Sequence, residues 1–320
     1  MKKIIFTFFL ALMATTGLYA QQISVVSPGG ATSLYKTLQE AIEGAEGGSV
    51  IYLPGGGFTI ADSVKITKKL TIIGIGHKSK NDNADSNSTI TGNLFFNQGS
   101  DGSALMGCYV TGTVYIGKDG NEVDDILIRY NFLKGFAVSN NKCVGTTVNQ
   151  NYCDCTLVFS GAGGTVSNNI CKWVNYLDNG FLLNNIITGR GSSYHAIYEC
   201  DQTTISNNVI IDSNIHSGSN CLISGNMTKS ASAWGDDCIN VWGVDWNNVF
   251  ENWNNGAVSP TTNFHFKEEY SQYEGKVGIY HGTFNENQLA PVPYIVAKRV
   301  DEQTDASGKL NVKIRVKAGQ

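Results

Sequence analysis

Seven times between Ile90 and Met227 an apolar residue is followed three positions later by asparagine and then by another apolar residue. The instances are ITGNL at 90, IRYNF at 128, VNQNY at 148, VSNNI at 166, LLNNI at 182, ISNNV at 205 and ISGNM at 223, which place Asn93, Asn131, Asn151, Asn169, Asn185, Asn208 and Asn226. VTGTV at 110 fills the one gap with Thr113, and the steps become 20, 18, 20, 18, 16, 23 and 18 residues. Asn248 in DWNNV extends the spacing, with Asp245 at the apolar position. A unit near 19 residues has room for short strands and turns but not for a helix, and it cannot bury an apolar face alone. Stacking such units predicts an all-β chain: a single-stranded right-handed parallel β-helix, a solenoid in which the strands of each coil pair with those of the coil before.

Asparagine suits the bend between two strands because it tolerates the left-handed backbone region, and stacked asparagines can hydrogen-bond along the stack. The residue after each one (Leu94, Phe132, Tyr152, Ile170, Ile186, Val209, Met227) is apolar and is expected to point into the core. A stack of coils has two open ends that must be covered. At the front, the pattern Leu34, Leu38, Ala41, Ala45 before Gly47-Gly48 predicts an amphipathic capping helix over about 33–46. At the back, KVGIYHGTFNENQLAPVPYI is loop-rich, and LNVKIRVKAG alternates apolar and polar residues after a turn, as an edge hairpin does. The expected division is a leader over 1–20, the β-helix over 21–290 and a C-terminal cap or hairpin tail over 291–320.

The order of these parts resembles the pectin lyase-like superfamily of right-handed β-helices. YKTLQEAIEGAEGGSVIYLPGGGFTI, followed by LTIIGIG and TITGN, is similar to the start of pectinesterases, and the ISNNVI type of repeat is similar to that of secreted bacterial β-helix proteins. The resemblance covers most of the chain and bears on fold more than on activity.

Lys2 and Lys3, the apolar run Ile4 to Met13 and small residues up to Ala20 have the layout of a secretory signal peptide. The run is too short to span a bilayer, and no later stretch is long and apolar enough, so no transmembrane segment is expected once the leader is removed. The remaining chain is expected in the periplasm, at the cell surface or outside the cell. Without Lys2 and Lys3 it has 21 basic against 27 acidic residues, a formal charge of −6. Nucleic acid is therefore not an expected partner, because its phosphates require a basic footprint.

All eight cysteines lie from Cys108 to Cys238. Cys153 and Cys171 each stand two residues after a repeat asparagine, where other coils carry Leu133, Ile187, Ile210 and Phe95, so they read as aliphatic substitutes in a stacked column. Cys-Asp-Cys at 153–155 has no partners at zinc-site spacing.

The stretches after Asn185, Asn208 and Asn226 gather polar and aromatic residues: RGSSYHAIYEC, IDSNIHSGSNC and SAWGDDCINVW. Stacked coil on coil, they set Arg190, Tyr194, His195, Tyr198 and Glu199 beside Asp212 and His216, and these beside Trp234, Asp236, Asp237 and Trp242. Aromatic rings can stack on sugars and polar neighbours can bind hydroxyls, so the expected partner is a polysaccharide or cell-surface glycan. Gly235-Asp236-Asp237-Cys238-Ile239 also resembles the polygalacturonase motif whose paired aspartates are catalytic, which makes Asp236, Asp237 and Asp212 the candidate catalytic residues. The resemblance stops there: the Asn-Thr-Asp of the preceding coil, the downstream Gly-His-Gly (His265 is the nearest stand-in) and the Arg-Ile-Lys are missing, as are the residue sets of pectinesterases and pectate lyases. Adjacent residues on a strand face opposite sides, so both aspartates serve one groove only if the backbone bends between them.

Three readings stay open for the motif: an Asp/Asn-rich turn, a glycan-binding face, and a hydrolase or lyase site. No cofactor is expected. Asp212, Asp236 and Asp237 supply the hard oxygens that Ca2+ prefers, but without calcium-loop spacing. Trp246 and Trp253 read as core or cap. The competing class is a structural or adhesive surface protein in which the solenoid is a rigid spacer.

Overall fold

Short segments rich in Ile, Val, Leu and Thr, each ended by a tight turn, find their regular partner in the same segment of the next coil. The computed structural model describes residues 22–62, 64–77, 87–189, 195–211, 214–216, 218–228, 237–240, 245–253, 262–282, 284–286, 294–300, 308–309 and 312–317. An 11-stranded sheet forms one face of a parallel β-solenoid, and a 13-stranded sheet forms the rest. The second sheet turns a corner midway. Register shifts between Leu133 and Gly135, and between Cys153 and Thr156, divide its strands into a second and a third face. This is the all-β parallel β-helix that the repeat predicts.

Inward columns fill the interior. The first face contributes Leu105, Ile128, Val148, Val166, Leu182 and Ile205, the second Leu133, Cys153, Cys171, Ile187 and Ile210, and the third Val114, Phe136, Leu157, Val174 and Ile197. Each such side chain moved out of water contributes roughly 1.5–3 kcal/mol. Cys153 and Cys171 stand in the aliphatic column as expected, paired in register and fully buried. Burial also pushes the thiols of Cys108 and Cys200 up to about 12.

The asparagines form a ladder, but not as the bend residues. Asn131, Asn151, Asn169, Asn185, Asn208 and Asn226 are fully buried. The left-handed conformation belongs to the residue before each of them: Tyr130, Gln150, Asn168, Asn184, Asn207 and Gly225 have φ of 58, 55, 53, 58, 57 and 62°. This turn aims the next side chain along the solenoid axis. Asn151 donates its backbone N–H to Asn169 Oδ1 (2.9 Å) and its Nδ2 to the same oxygen (3.0 Å) and to Ile128 O (2.8 Å). The other rungs repeat the pattern up to Asn226. Asn93 and Thr113 do not belong to this ladder. They meet at a different corner, where Thr113 N donates to Asn93 Oδ1, and the rung before Asn131 is Cys108, whose N–H donates to Asn131 Oδ1 at 3.0 Å. Asn248 ends a 3-10 turn, Trp246–Asn248, and is exposed.

The residue after each ladder asparagine points outward, contrary to expectation. Phe132, Tyr152, Ile170, Ile186, Val209 and Met227 leave the interior and form a second apolar cluster with Trp246, Phe250, Trp253, Phe264, Val277 and Ile279. Parity requires this: the following residue is the inward one, and neighbours on a strand alternate. The outward column stays dry because the described residues of the segment that follows, 245–253, 262–282 and 284–286, pack along the second face as a strap. Three hydrogen bonds tie the strap to the left-handed corner: Gly278 N to Asn207 O (2.7 Å), Asn168 Nδ2 to Ile279 O (2.9 Å) and Asn285 N to Gln150 Oε1 (2.7 Å).

At the N-terminal end the helix is shorter than its pattern suggests, Leu38–Gly44, opened by Thr37 in a capping box with Glu40. Leu38, Ala41 and Ile42 join the solenoid core, whereas Leu34 lies in strand Thr32–Tyr35 and is exposed. That strand and Ile23–Val26 extend the first sheet as an antiparallel pair. Tyr294–Val300 pairs antiparallel with Val312–Lys317. Among the described residues no helix is long and apolar enough to cross a membrane.

Candidate functional site

The outward side of the third face is open where that of the second is covered. Register partners run along it from coil to coil: Tyr115, Ala137, Val158, Asn175, Tyr198, His216. None of the six is buried, because their strand neighbours take the inward positions. Small side chains floor the middle of the face, and functional groups collect at its two ends.

At the C-terminal end three rings lie together. His195 and Tyr198 are 5.7 Å apart between centroids, Tyr198 and His216 5.5 Å, and His195 and His216 5.2 Å. Tyr176 meets Tyr198 edge-on at 5.6 Å and 87°, and is itself exposed. Tyr176 and Glu199 occupy equivalent turn positions, both left-handed, with Tyr176 N donating to Tyr198 O and Glu199 N to His216 O. The Glu199 carboxylate accepts from the Tyr198 hydroxyl and holds its pKa above the ordinary tyrosine value. The three rings lie within 19–37° of one another, and Tyr176 stands across Tyr198 at 87°.

Elsewhere the charge is basic, both at the corner between the second and third faces in the middle coils and at the N-terminal end of the third face. Lys134 and Lys172 grip one carboxylate, Asp154, at 2.7 and 2.6 Å. Burial works against the Asp154 charge, but the two ammonium groups outweigh it and keep the carboxyl below its usual range. Lys65 Nζ lies 3.3 Å from the Phe95 ring centroid and Lys118 Nζ 4.1 Å from that of Tyr115, two rings that stack on each other at 5.2 Å. Sequence reasoning passed over Lys134, Asp154 and Lys172, although the signal was present: each stands three residues after a ladder asparagine.

Of the residues expected to form a site, the structure brings His195, Tyr198, Glu199 and His216 together. Asp237 stands elsewhere, at the corner that leads into the second face. It is exposed with φ 54°, and Ile239, two residues on, pairs with Met227. Asp237 thus occupies the turn position of Asn207 and Gly225, and Cys238 the rung position of Asn226. Arg190, Tyr194, Asp212, Trp234, Asp236 and Trp242 lie outside the described residues. Among the described residues no group of three or more His, Cys, Asp or Glu is arranged to hold a metal ion.

A second cluster, in the strap, had no sequence signal beyond His265 as the nearest stand-in for a motif histidine. His265 Nδ1 contacts Glu274 Oε1 at 2.8 Å and Nε2 contacts Glu286 Oε1 at 2.6 Å, and its ring stacks on Tyr280 at 4.0 Å and 8°. Burial opposes its charge, but the two carboxylates prevail and raise its pKa above the usual histidine value. Trp246 and Trp253 are buried in the strap, as core residues.

No protein-family model, curated protein or solved structure matches the chain.

Proposed function

We propose that the chain is an exported β-solenoid that engages complex polysaccharide along its third face. The observation that carries this reading is the ring cluster of exposed Tyr176 and His216 with half-buried His195 and Tyr198, beside exposed Glu199, on a face whose neighbouring coils present small side chains. Tyrosine and histidine offer apolar ring surface together with hydrogen-bonding tips, the combination that a sugar's CH faces and hydroxyls require. The leader-like start of the sequence supports export, and the similarity of repeat and N-terminal segments to the pectin lyase-like superfamily supports a glycan as the ligand. Binding is the reading adopted here, because Asp237 belongs to a turn at another corner of the coil.

Affinity electrophoresis through gels containing acidic or neutral polysaccharides tests the proposal. We expect retardation by at least one polysaccharide, weakened roughly tenfold in Tyr198→Ala, the size of a lost contact worth about 1.4 kcal/mol. Retention confined to acidic polysaccharide and lost with salt would add the Lys134–Asp154–Lys172 row to the binding face. Chain shortening that disappears in Asp236→Asn/Asp237→Asn would turn binding into catalysis. No retardation by any glycan would sink the proposal and leave the rigid-spacer reading, which the continuous asparagine ladder favours.

A further inference from the structure

Among the described residues the strap is held by apolar contact, by three corner hydrogen bonds and by a titratable cluster around His265. His265 lies on strand Asn263–Phe266 and touches carboxylates from two later parts of the strap. Glu274 follows the 3-10 turn Glu268–Tyr273 and also accepts from Phe266 N at 3.0 Å. Glu286 lies beside Asn285, whose N–H reaches Gln150 on the solenoid, and beside Phe284, whose ring lies 6.0 Å from that of Tyr152. His265 therefore joins the start, middle and last anchor of the strap. Only an imidazolium carries protons on both nitrogens. A neutral ring can donate to one carboxylate and must turn a lone pair toward the other.

We propose that residues 262–282 and 284–286 form a pH-sensitive clasp, in which protonated His265 bridges Glu274 and Glu286 and its deprotonation frees the 284–286 end of the strap from the solenoid. The raised pKa of His265 fixes the direction. Stabilisation by the bridge is complete below the unfolded-state value, about 6.5, and is lost as pH rises through the higher folded-state value. The groups facing His265 are Glu274, Glu286 and Tyr280, with Tyr152 of the solenoid behind them. Burial and Glu286 hold the hydroxyls of Tyr280 and Tyr152 above their ordinary values, so both stay neutral across the interval. His281 turns to Gly275 O instead, and His77 packs against the far side of Tyr152. The clasp is independent of the glycan reading, since it acts on the second face.

Hydrogen exchange of the full-length chain between pH 5.5 and 9, corrected for intrinsic rates, tests the clasp, together with an NMR titration of the His265 ring protons. We expect protection of amides 276–286 to fall at least tenfold across a midpoint above 6.5, with strands 146–187 unchanged. His265→Gln should abolish the transition, and Glu286→Gln should lower its midpoint. A His265 pKa at or below 6.5 in the unaltered chain, protection that does not vary with pH, or a transition that persists in His265→Gln would each overturn the proposal.

Discussion

A buried asparagine side chain carries a carbonyl and an amide that both need partners, and a stack of coils supplies them at a constant spacing. Asn169 shows the arithmetic of one rung. Its Oδ1 accepts from Asn151 N and Nδ2, and its own Nδ2 donates to Val148 O and to Asn185 Oδ1. Alanine at this position would leave the Asn151 N–H buried without its acceptor, at about 1–3 kcal/mol, and would remove the side-chain bonds to Val148 O and Asn185 Oδ1, at about 1 kcal/mol more. Asn169→Ala should therefore lower unfolding stability by roughly 2–4 kcal/mol, measured by denaturant titration. A loss within about 0.5 kcal/mol, typical of surface substitutions, would show that the ladder is not a stabilising element. Tyr130 and Gln150, in the left-handed turn before a rung, show how firmly the ladder dictates the backbone, since neither residue type favours that region.

Strands and strap respond differently to loss of packing, because the strap is attached to a solenoid that has its own core. Phe264 is fully buried between Phe250 and Trp253, with ring centroids 5.4 and 5.2 Å away. A cavity there costs about 3–5 kcal/mol in a single cooperative unit. If the strap can come away first, Phe264→Ala will raise protease cleavage within 245–286 and leave the melting of the solenoid strands within a few degrees of the unaltered chain. A melting shift as large as that of Leu133→Ala would show that strap and solenoid unfold as one. The strap also explains which parts of the fold were legible in the sequence. The period was readable because six successive rungs, from Asn131 to Asn226, use the same residue type at the same place in the coil. The parity of the strands was not, because the strap buries the outer side of the second face. Phe132-Leu133, Ile170-Cys171, Ile186-Ile187 and Val209-Ile210 are apolar pairs without alternation, and nothing in such a pair says which member faces in. Tyr198 and His216 could be aligned because each follows its own rung, whereas His265, Glu274 and Glu286 lie where no period operates and come together only through folding.

In a solenoid each coil touches only its neighbours, so stability is spread along the axis and the ends are its weakest points. The two ends of this molecule differ. The N-terminal end carries the antiparallel pair Ile23–Val26 and Thr32–Tyr35 and the helix Leu38–Gly44, whose Leu38, Ala41 and Ile42 are buried in the core. Toward the C-terminal end burial declines: in the last strand of the first face, Leu222–Ser224, Leu222 is 72% exposed, and the inward positions Cys221 and Ile223 are only half-buried. The last asparagine rung, Asn226, has an asparagine on one side and Cys238 at the rung position on the other, whereas Asn169 has asparagines on both. Fraying should therefore begin at the C-terminal coils and advance toward the middle. Amides of strands Thr146–Asn149 and Gly164–Ser167 should exchange at rates set by global unfolding, those of Leu222–Ser224 and Met227–Thr228 much faster, and those of Ser49–Tyr52 nearly as slowly as the middle. Asn226→Ala should then accelerate exchange only in the last coils and change the denaturation midpoint far less than Asn169→Ala. Equal effects of the two substitutions, or protection uniform from one end to the other, would mean that the coils do not open in sequence and that the stack behaves as a single cooperative block.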